Sequence, residues 1–176
     1  MRVVRRSGFV VALVLLTAMV LVGGCGRSVD GTAVRSARAA PWDPCSLSDD
    51  VIRRAGLDPA TRDSASLVNG AGELSCEWHN DDLFMTLTAI AGATIEQVHS
   101  GQGNHDFHDA IVGNRTVTTY RDEGDRTGSF CFLVVPLEPA GIALMQVSRT
   151  AFTEDTTPMC VWAYRVGDVV VAAMPR

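Results

Sequence analysis

The sequence predicts an α+β domain, an antiparallel sheet with N-terminal, middle and C-terminal helices packed on it and disulfides joining its parts. Three observations favour this class: paired alternating apolar runs around polar turns, helix-capping patterns at separate places, and an even number of cysteines after residue 25. Strands grouped apart from helices are typical of α+β domains. Removing residues 1–24 from the 176 leaves 152, enough for one domain with its own core. We expect that domain at residues 42–176.

The first predicted helix follows Cys45. Ser46 or Ser48 can cap it, and Asp49 and Asp50 lie in its first turn. Ile52 and Ala55 are expected to face the core, and Gly56 and then Pro59 end the helix. Acids suit the positive end of the helix dipole, and glycine suits the residue after a helix.

Two alternating runs, 74–78 and 83–89, flank the polar turn at residues 80–82 and predict a β-hairpin. Thr94 and Gln97 form a capping-box pattern for a second helix that ends near His99. The segment 100–109, rich in Gly and His, is predicted to be a loop. A strand is expected at 115–121 and a turn at 122–128, and the apolar runs 130–135 and 142–147 predict a buried hairpin.

The C-terminal segment is predicted to be a helix. Thr157 suits the cap and Pro158 the first helical position. Apolar residues then recur at helical spacing: Met159, Trp162, Val166, Val169 or Val170, and Ala173. Gly167 and the run Val169-Val170-Val171 favour a strand instead, but the cap and the apolar stripe agree on a helix.

Four cysteines remain once Cys25 is set aside: Cys45, Cys76, Cys131 and Cys160. They allow three connectivities. We favour Cys45–Cys76 with Cys131–Cys160, since each closes a loop of roughly 30 residues between elements expected to pack together. The competing interpretation, a zinc site, lacks any CxxC or CxxH spacing.

Residues 1–24 are predicted to be a lipoprotein signal peptide, and Cys25 to be the residue that carries the lipid. Arg2, Arg5 and Arg6 form a cationic start, residues 9–22 are apolar or small, and Gly23-Gly24-Cys25 ends the run. Such a run is short for a permanent membrane span and suits a secretory signal. An ordinary signal peptide or an uncleaved anchor is the alternative. Residues 25–41 then comprise the lipidated cysteine and a flexible tether, which places the domain on the outer, extracytoplasmic face of the cell membrane.

The charge of the mature chain excludes two classes of partner. Without the signal it has 12 arginines against 20 acidic residues, a net charge near −8. A nucleic-acid partner requires a basic face, so none is expected. Electrostatic adhesion to anionic lipid is also disfavoured, so the acyl chains on Cys25 must hold the protein to the membrane.

Several short motifs resemble one family when taken in order. They are Val29-Asp30-Gly31-Thr32-Ala33, Asp43-Pro44-Cys45, Ala55-Gly56-Leu57-Asp58, Cys76-Glu77-Trp78 and the C-terminal Met174-Pro175-Arg176, preceded by the cysteine at residue 25. The chain resembles the actinobacterial lipoproteins grouped as domain-of-unknown-function family 3558, over most of residues 22–176. The resemblance implies an exported, membrane-anchored domain and brings no catalytic residues with it.

The candidate chemical sites are few. His105, Asp106, His108 and Asp109 offer imidazoles and carboxylates to a divalent metal, but a glycine-flanked loop arranges ligands poorly, and a solvated loop is the preferred interpretation. No Gly-x-Ser-x-Gly elbow or glycine-rich phosphate motif occurs, and the acid pairs lie at predicted turns. No catalytic residue, metal or cofactor is therefore expected. His79 is expected to point outward, and Trp78 and Trp162 to pack in the interior, whereas Trp42 lies before the first helix, where exposure is more plausible.

The sequence thus favours a non-enzymatic envelope module that binds a protein or a small ligand. Two alternatives stay open. One is a metal-dependent enzyme or metal-binding protein that uses residues 105–109. The other is a lipid-carrier cup in which the strands 130–135 and 142–147 line an apolar cavity.

Overall fold

The computed structural model describes residues 41–64, 70, 72–151 and 153–176. The predicted signal segment, Cys25 and tether residues 26–40 lie outside the described residues. The described part contains a 3-10 turn at Pro44–Ser46 and three α-helices: α1 (Asp49–Arg54), α2 (Ile95–His99) and α3 (Met159–Ala173). It contains seven strands: β1 (Asp58–Asp63), β2 (Glu73–His79), β3 (Leu83–Ala91), β4 (Asn104–Val112), β5 (Arg115–Asp122), β6 (Phe130–Pro136) and β7 (Gly141–Arg149).

The strands form a single sheet in the order β1-β2-β3-β7-β6-β5-β4, and each neighbouring pair is antiparallel. The predicted α+β class is confirmed. Local chemistry fixes the hairpins. The Asn80 side chain accepts hydrogen bonds from the N–H groups of Asp82 at 2.8 Å and Leu83 at 2.6 Å. Gly113 and Asn114 both have positive φ, 57° and 61°, as a two-residue turn needs to match the strand twist.

The main core lies between one face of the sheet and the helices α1 and α3. Side chains alternate across a strand, so Leu83, Met85 and Leu87 of β3 all point to this helix-bearing face and are buried. Trp78 is the largest fully buried side chain, as predicted for the interior. His79, the next residue, is exposed on the other face.

Helix α1 follows its predicted signals. Ser48 is the cap, and its Oγ accepts a hydrogen bond from the Val51 N–H at 3.4 Å. The helix ends in a Schellman motif: Gly56 has φ of 84°, its N–H donates to the Arg53 carbonyl, and the Leu57 N–H donates to the Ile52 carbonyl. The Thr94–Gln97 capping box of α2 is also confirmed.

The C-terminal helix is confirmed, but it begins at Met159, one residue after the predicted start, and no side chain caps it. Asp155 organises this end instead, because it accepts hydrogen bonds from the Thr157 N–H at 2.6 Å and the Trp162 Nε1–H at 3.1 Å. These bonds, chiefly the one from the Thr157 backbone, lower the pKa of Asp155.

Gly167, which favoured a strand in the sequence, has a packing role in α3. A Cβ at this position would lie 2.8 Å from Val112 Cγ1, 3.1 Å from Leu133 Cδ2 and 3.3 Å from Met145 Cε. Glycine therefore lets the helix approach the sheet closely, at a cost in helix propensity that packing compensates.

Both predicted disulfides are present. Cys45–Cys76 joins the 3-10 turn to β2, and Cys131–Cys160 joins β6 to the first turn of α3. Cys76 and Cys131 are fully buried. Each bridge therefore fastens an N- or C-terminal segment to the sheet.

Two strands depart from the prediction. The loop prediction for residues 100–109 is wrong from Asn104 onward, where β4 begins, and β1 was not predicted at all. Both are edge strands with one partner each, and most of their side chains are exposed. An edge strand that buries little need not alternate apolar and polar residues, so the pattern that marks the inner strands is missing.

Trp42 is half-buried against the core, and its Nε1–H donates to Ser46 Oγ at 3.1 Å. No helix within the described residues is long and apolar enough to cross a membrane.

Candidate functional site

The face of the sheet opposite α1 and α3 is covered only in part. We call its uncovered portion the open face. The register of β2, β3, β7 and β6 places these residues on it: Ser75, Glu77, His79, Phe84, Thr86, Thr88, Leu144, Gln146, Ser148, Phe130 and Phe132. His79 is exposed and the others are partly exposed. The face combines aromatic, hydroxyl and amide groups on a rigid support.

Helix α2 covers the adjacent corner of the same face. Ile95 and Val98 pack against a second, smaller core of Tyr120, Val134 and Ile142, which are 0–5 % exposed. The capping box holds this five-residue helix in place. Phe132 and Leu144 of the open face also pack against this smaller core, so the open face begins beside the corner that α2 covers.

A row of aromatic rings runs from beneath α2 to the open face. His99 stacks on Phe107 at 4.0 Å between ring centroids, Phe107 on Tyr120 at 5.6 Å, and Tyr120 on Phe132 at 4.7 Å. Phe130 then meets Phe132 edge-on at 6.2 Å. Because stacked rings cover one another's faces, the row is a supporting structure for the open face more than a set of free ring faces.

Burial raises the pKa of Tyr120 to about 12, and the nearby charge of Asp122 acts in the same direction. The phenol ionises near pH 10 in an unfolded chain. The stability that Tyr120 contributes is therefore fully present below pH 10 and is lost as the pH rises toward 12.

We accordingly expect the Tyr120→Phe variant to lose less stability than the wild type between pH 9 and pH 12. Urea unfolding at each pH measures this directly. The chain's other tyrosine, Tyr164, supplies the control Tyr164→Phe. An alkaline loss that is identical in the wild type and in Tyr120→Phe would contradict the assignment.

Hydrogen bonds order the polar side chains of the open face. Thr86 Oγ1 donates to Glu77 Oε1 at 3.3 Å, and the hydroxyl oxygens of Ser75 and Thr88 lie 2.7 Å apart. Gln146 lies in register between Thr86 and Phe132. Such cross-strand pairs fix side-chain positions before any ligand arrives.

A depression of about 660 Å³ lies at one end of the open face. Phe84 stacks on His79 in its wall, with ring centroids 6.1 Å apart, and Ser148, Arg149 and Thr150 complete the side formed by β7. A polar depression of about 800 Å³ lies between residues 102–103 and 122–126.

The opposite end of the sheet lies beside Pro41 and Trp42, the first described residues. Pro41 and Trp42 line a cavity of about 60 Å³ together with Ile90, Gly141 and Pro175. The ends of β3 and the start of β7 therefore lie beside the point where the domain begins.

The histidine-rich segment does not bring its candidate ligands together. His105 and His108 are in register with Arg121 and Thr119 on the helix-bearing side, whereas Asp109 lies on the other side and accepts a hydrogen bond from Thr118 at 2.8 Å. A bulge with Asp106 at φ of 57° leaves only one close pair, His108 Nε2 to Asp106 Oδ1 at 2.9 Å. Within the described residues, no group of three or more His, Cys, Asp or Glu is placed to hold a metal ion.

Sequence reasoning did not identify the open face. The alternation of β3 identifies its buried side, but it makes no prediction for the residues between, Phe84, Thr86 and Thr88. Phenylalanine at such a position is the available signal, because a large apolar side chain on the polar side of an alternating strand needs a partner.

The comparisons agree with the resemblance found in the sequence. No curated protein and no solved structure gave a significant match to this chain. One family, described as protein of unknown function (DUF3558), matches residues 20–173. That match spans well over half of the chain, which therefore belongs to the DUF3558 family.

Proposed function

We propose that this protein is a lipoprotein, anchored through Cys25 to the outer face of the cell membrane, and that its open face binds a partner without catalysing a reaction. The observation that carries the proposal is the uneven covering of the sheet. Helices α1 and α3 bury one face, while the open face leaves three phenylalanines partly exposed on strands whose other side is fully buried.

Covering those rings supplies a driving force for binding. Phe84, Phe130, Phe132 and Leu144 are partly exposed on one face of β3, β7 and β6, and Ser148 lies in register between Phe84 and Phe130. Each 100 Å² of apolar surface that a partner removes from water contributes about 2.5 kcal/mol before the costs of association. The rings are already held by strand pairing and stacking, so little side-chain entropy is lost on binding.

The position of the tether suits this function. The chain enters the domain beside Ile90 and Gly141, whereas Phe84 and Ser148 lie at the other end of the same strands. Six residues of β3 separate Phe84 from Ile90, about 20 Å of strand. A lipid on Cys25 would thus hold the domain through Pro41, at the end of the sheet that lies away from the 660 Å³ depression.

The open face is better suited to binding than to acid–base chemistry. Its only carboxylate, Glu77, accepts a hydrogen bond from Thr86, and its only imidazole, His79, stacks on Phe84. The metal alternative lacks convergent ligands among the described residues. The lipid-cup alternative needs space beneath β6 and β7, but Leu133 and Met145 are fully buried there against α3.

Photo-crosslinking in intact cells tests the binding face. A photoreactive phenylalanine analogue replaces Gln146 or Thr86 on the open face, and Val161 or Arg165 on the exposed side of α3 as controls. We expect discrete adducts from the two open-face positions and none from the controls. Equal adducts from both sets, or adducts from α3 alone, would reject the open face as the binding surface.

Membrane attachment has its own test. We expect Cys25→Ala to abolish lipid attachment, so that the protein leaves the detergent phase in phase partitioning or accumulates as precursor. Cys45→Ala is the matched control, because it removes a cysteine without removing the predicted lipid site. A Cys25→Ala protein that still partitions fully into detergent would contradict the anchor.

A further inference from the structure

Charged side chains are distributed unevenly between the two faces of the sheet. The four strand arginines bond to groups on or beside the helix-bearing side. Arg62 bonds to Asp49 and the Leu47 carbonyl, Arg121 lies 3.6 Å from both Asp125 Oδ2 and Cys160 Sγ, Arg149 donates to the Thr157 carbonyl, and Arg115 donates to the Pro175 carbonyl.

Carboxylates occupy the other side. By register, Asp58, Glu73 and Glu77 lie on it along β1 and β2, and Asp109 and Asp122 lie on it along β4 and β5. Each accepts a hydrogen bond from a neutral donor: the Ala60, Gly70 or Gly124 N–H, or the hydroxyl of Thr86 or Thr118. Within the described residues, none of these five carboxylates forms an ion pair with an arginine.

The open face is therefore an apolar and hydroxyl-bearing strip with acidic groups on both sides. This arrangement disfavours a second copy of the chain, which would place carboxylates against carboxylates, and it repels nucleic acid and anionic lipid. A cationic partner is complementary to it.

We infer, on the basis of the proposed binding function, that the partner of the open face is a protein segment in which arginine or lysine flanks apolar side chains. Glu77 on β2 and Asp122 on β5 are separated by four strand spacings, about 19 Å. An extended segment covers that distance in about six residues. The geometry thus specifies cations some six positions apart, with apolar residues between them over Phe130 and Phe132.

A labelled synthetic peptide supplies the probe. Its sequence is Arg-Ile-Ser-Ile-Ser-Ile-Arg, and a matched peptide carries Glu at both ends in place of Arg. Each is titrated by fluorescence anisotropy against the full chain in a non-ionic detergent, at low and at high salt. We expect the Arg peptide to bind at least ten-fold more tightly than the Glu peptide, with a difference that shrinks as salt rises.

Two variants locate the binding. Glu77→Gln with Asp122→Asn keeps one acceptor oxygen on each side chain and removes both charges. We expect this double variant to bind the Arg peptide about ten-fold more weakly. Asp50→Asn with Glu154→Gln removes the same charge from exposed positions elsewhere and should leave the affinity unchanged. Circular dichroism of each variant verifies that it is folded.

Each remaining result overturns the inference. Equal binding of the Arg and Glu peptides, or equal weakening by the two variants, would mean that no cation is recognised at the open face. The Arg peptide could also bind more tightly to a variant in which Arg27, Arg35 and Arg38 are changed to Gln. That result would identify the chain's own N-terminal segment as the occupant of the open face. If the peptides fail while open-face crosslinks form in cells, the proposed binding function stands and only the cationic partner is rejected.

Discussion

Replacement of Gly167 by valine should lower the free energy of unfolding by about 3 kcal/mol, the upper part of the range for overpacked cores. A Cβ alone would lie 2.8 Å from Val112 Cγ1, and valine adds two further methyl groups. Val112 is 1 % exposed and β-branched, so it has little freedom to move aside. Urea unfolding followed by circular dichroism measures the loss.

The structure also supplies a rescue. In the Gly167→Ala/Val112→Ala double variant, the closest atom is removed, so the two substitutions should cost less together than the sum of their separate effects. Two results would show that α3 and the sheet are not in this close contact. One is a free energy of unfolding of Gly167→Val within 1 kcal/mol of the wild type, and the other is additive losses in the double variant.

Removal of the Cys131–Cys160 disulfide should lower the free energy of unfolding about as much as Gly167→Val does. The bridge closes a separation of 29 residues, for which the chain-entropy relation gives about 3–4 kcal/mol. It also fastens the first turn of α3, which no side chain caps, to the centre of the sheet. We expect Cys131→Ala/Cys160→Ala to unfold at correspondingly lower urea concentration.

The second disulfide is the natural comparison. Cys45–Cys76 closes a nearly equal separation of 31 residues, so loop entropy alone predicts a similar loss for Cys45→Ala/Cys76→Ala. A difference in the loss of unfolding free energy between the two double variants would measure how differently the two bridges contribute through packing. A loss below 1 kcal/mol in either variant would contradict the assigned stabilising role of that disulfide.

The elements that sequence reasoning found are those in which one face is buried. Strands β3 and β7 alternate because their odd-numbered residues meet the core, and the caps at Ser48 and Thr94 are local hydrogen bonds that a sequence can show directly. The edge strand β4 buries little on either side and carries no such pattern. Gly167 is ambiguous in the sequence for a different reason: its packing role depends on Val112, Leu133 and Met145, which are distant in sequence.

The open face was beyond prediction for a topological reason. Its rings come from β3 and β6, which become near neighbours only because β7 inserts between them, after the chain has crossed to the far edge and returned. Alternation shows that Phe84, Phe130 and Phe132 lie on the same kind of face. Only the strand order shows that they lie on the same surface.

The meeting of Pro41 and Pro175 in one small cavity means that the two ends of the domain are adjacent in space. A fluorescent protein or affinity tag fused after Arg176 would therefore sit beside Pro41, away from the depression at Phe84. The same adjacency makes circular permutation feasible. A short linker would join Arg176 to Pro41, and new termini would open in the exposed β2–β3 turn at Asp81, so that a reporter would stand at the end of the sheet opposite Pro41.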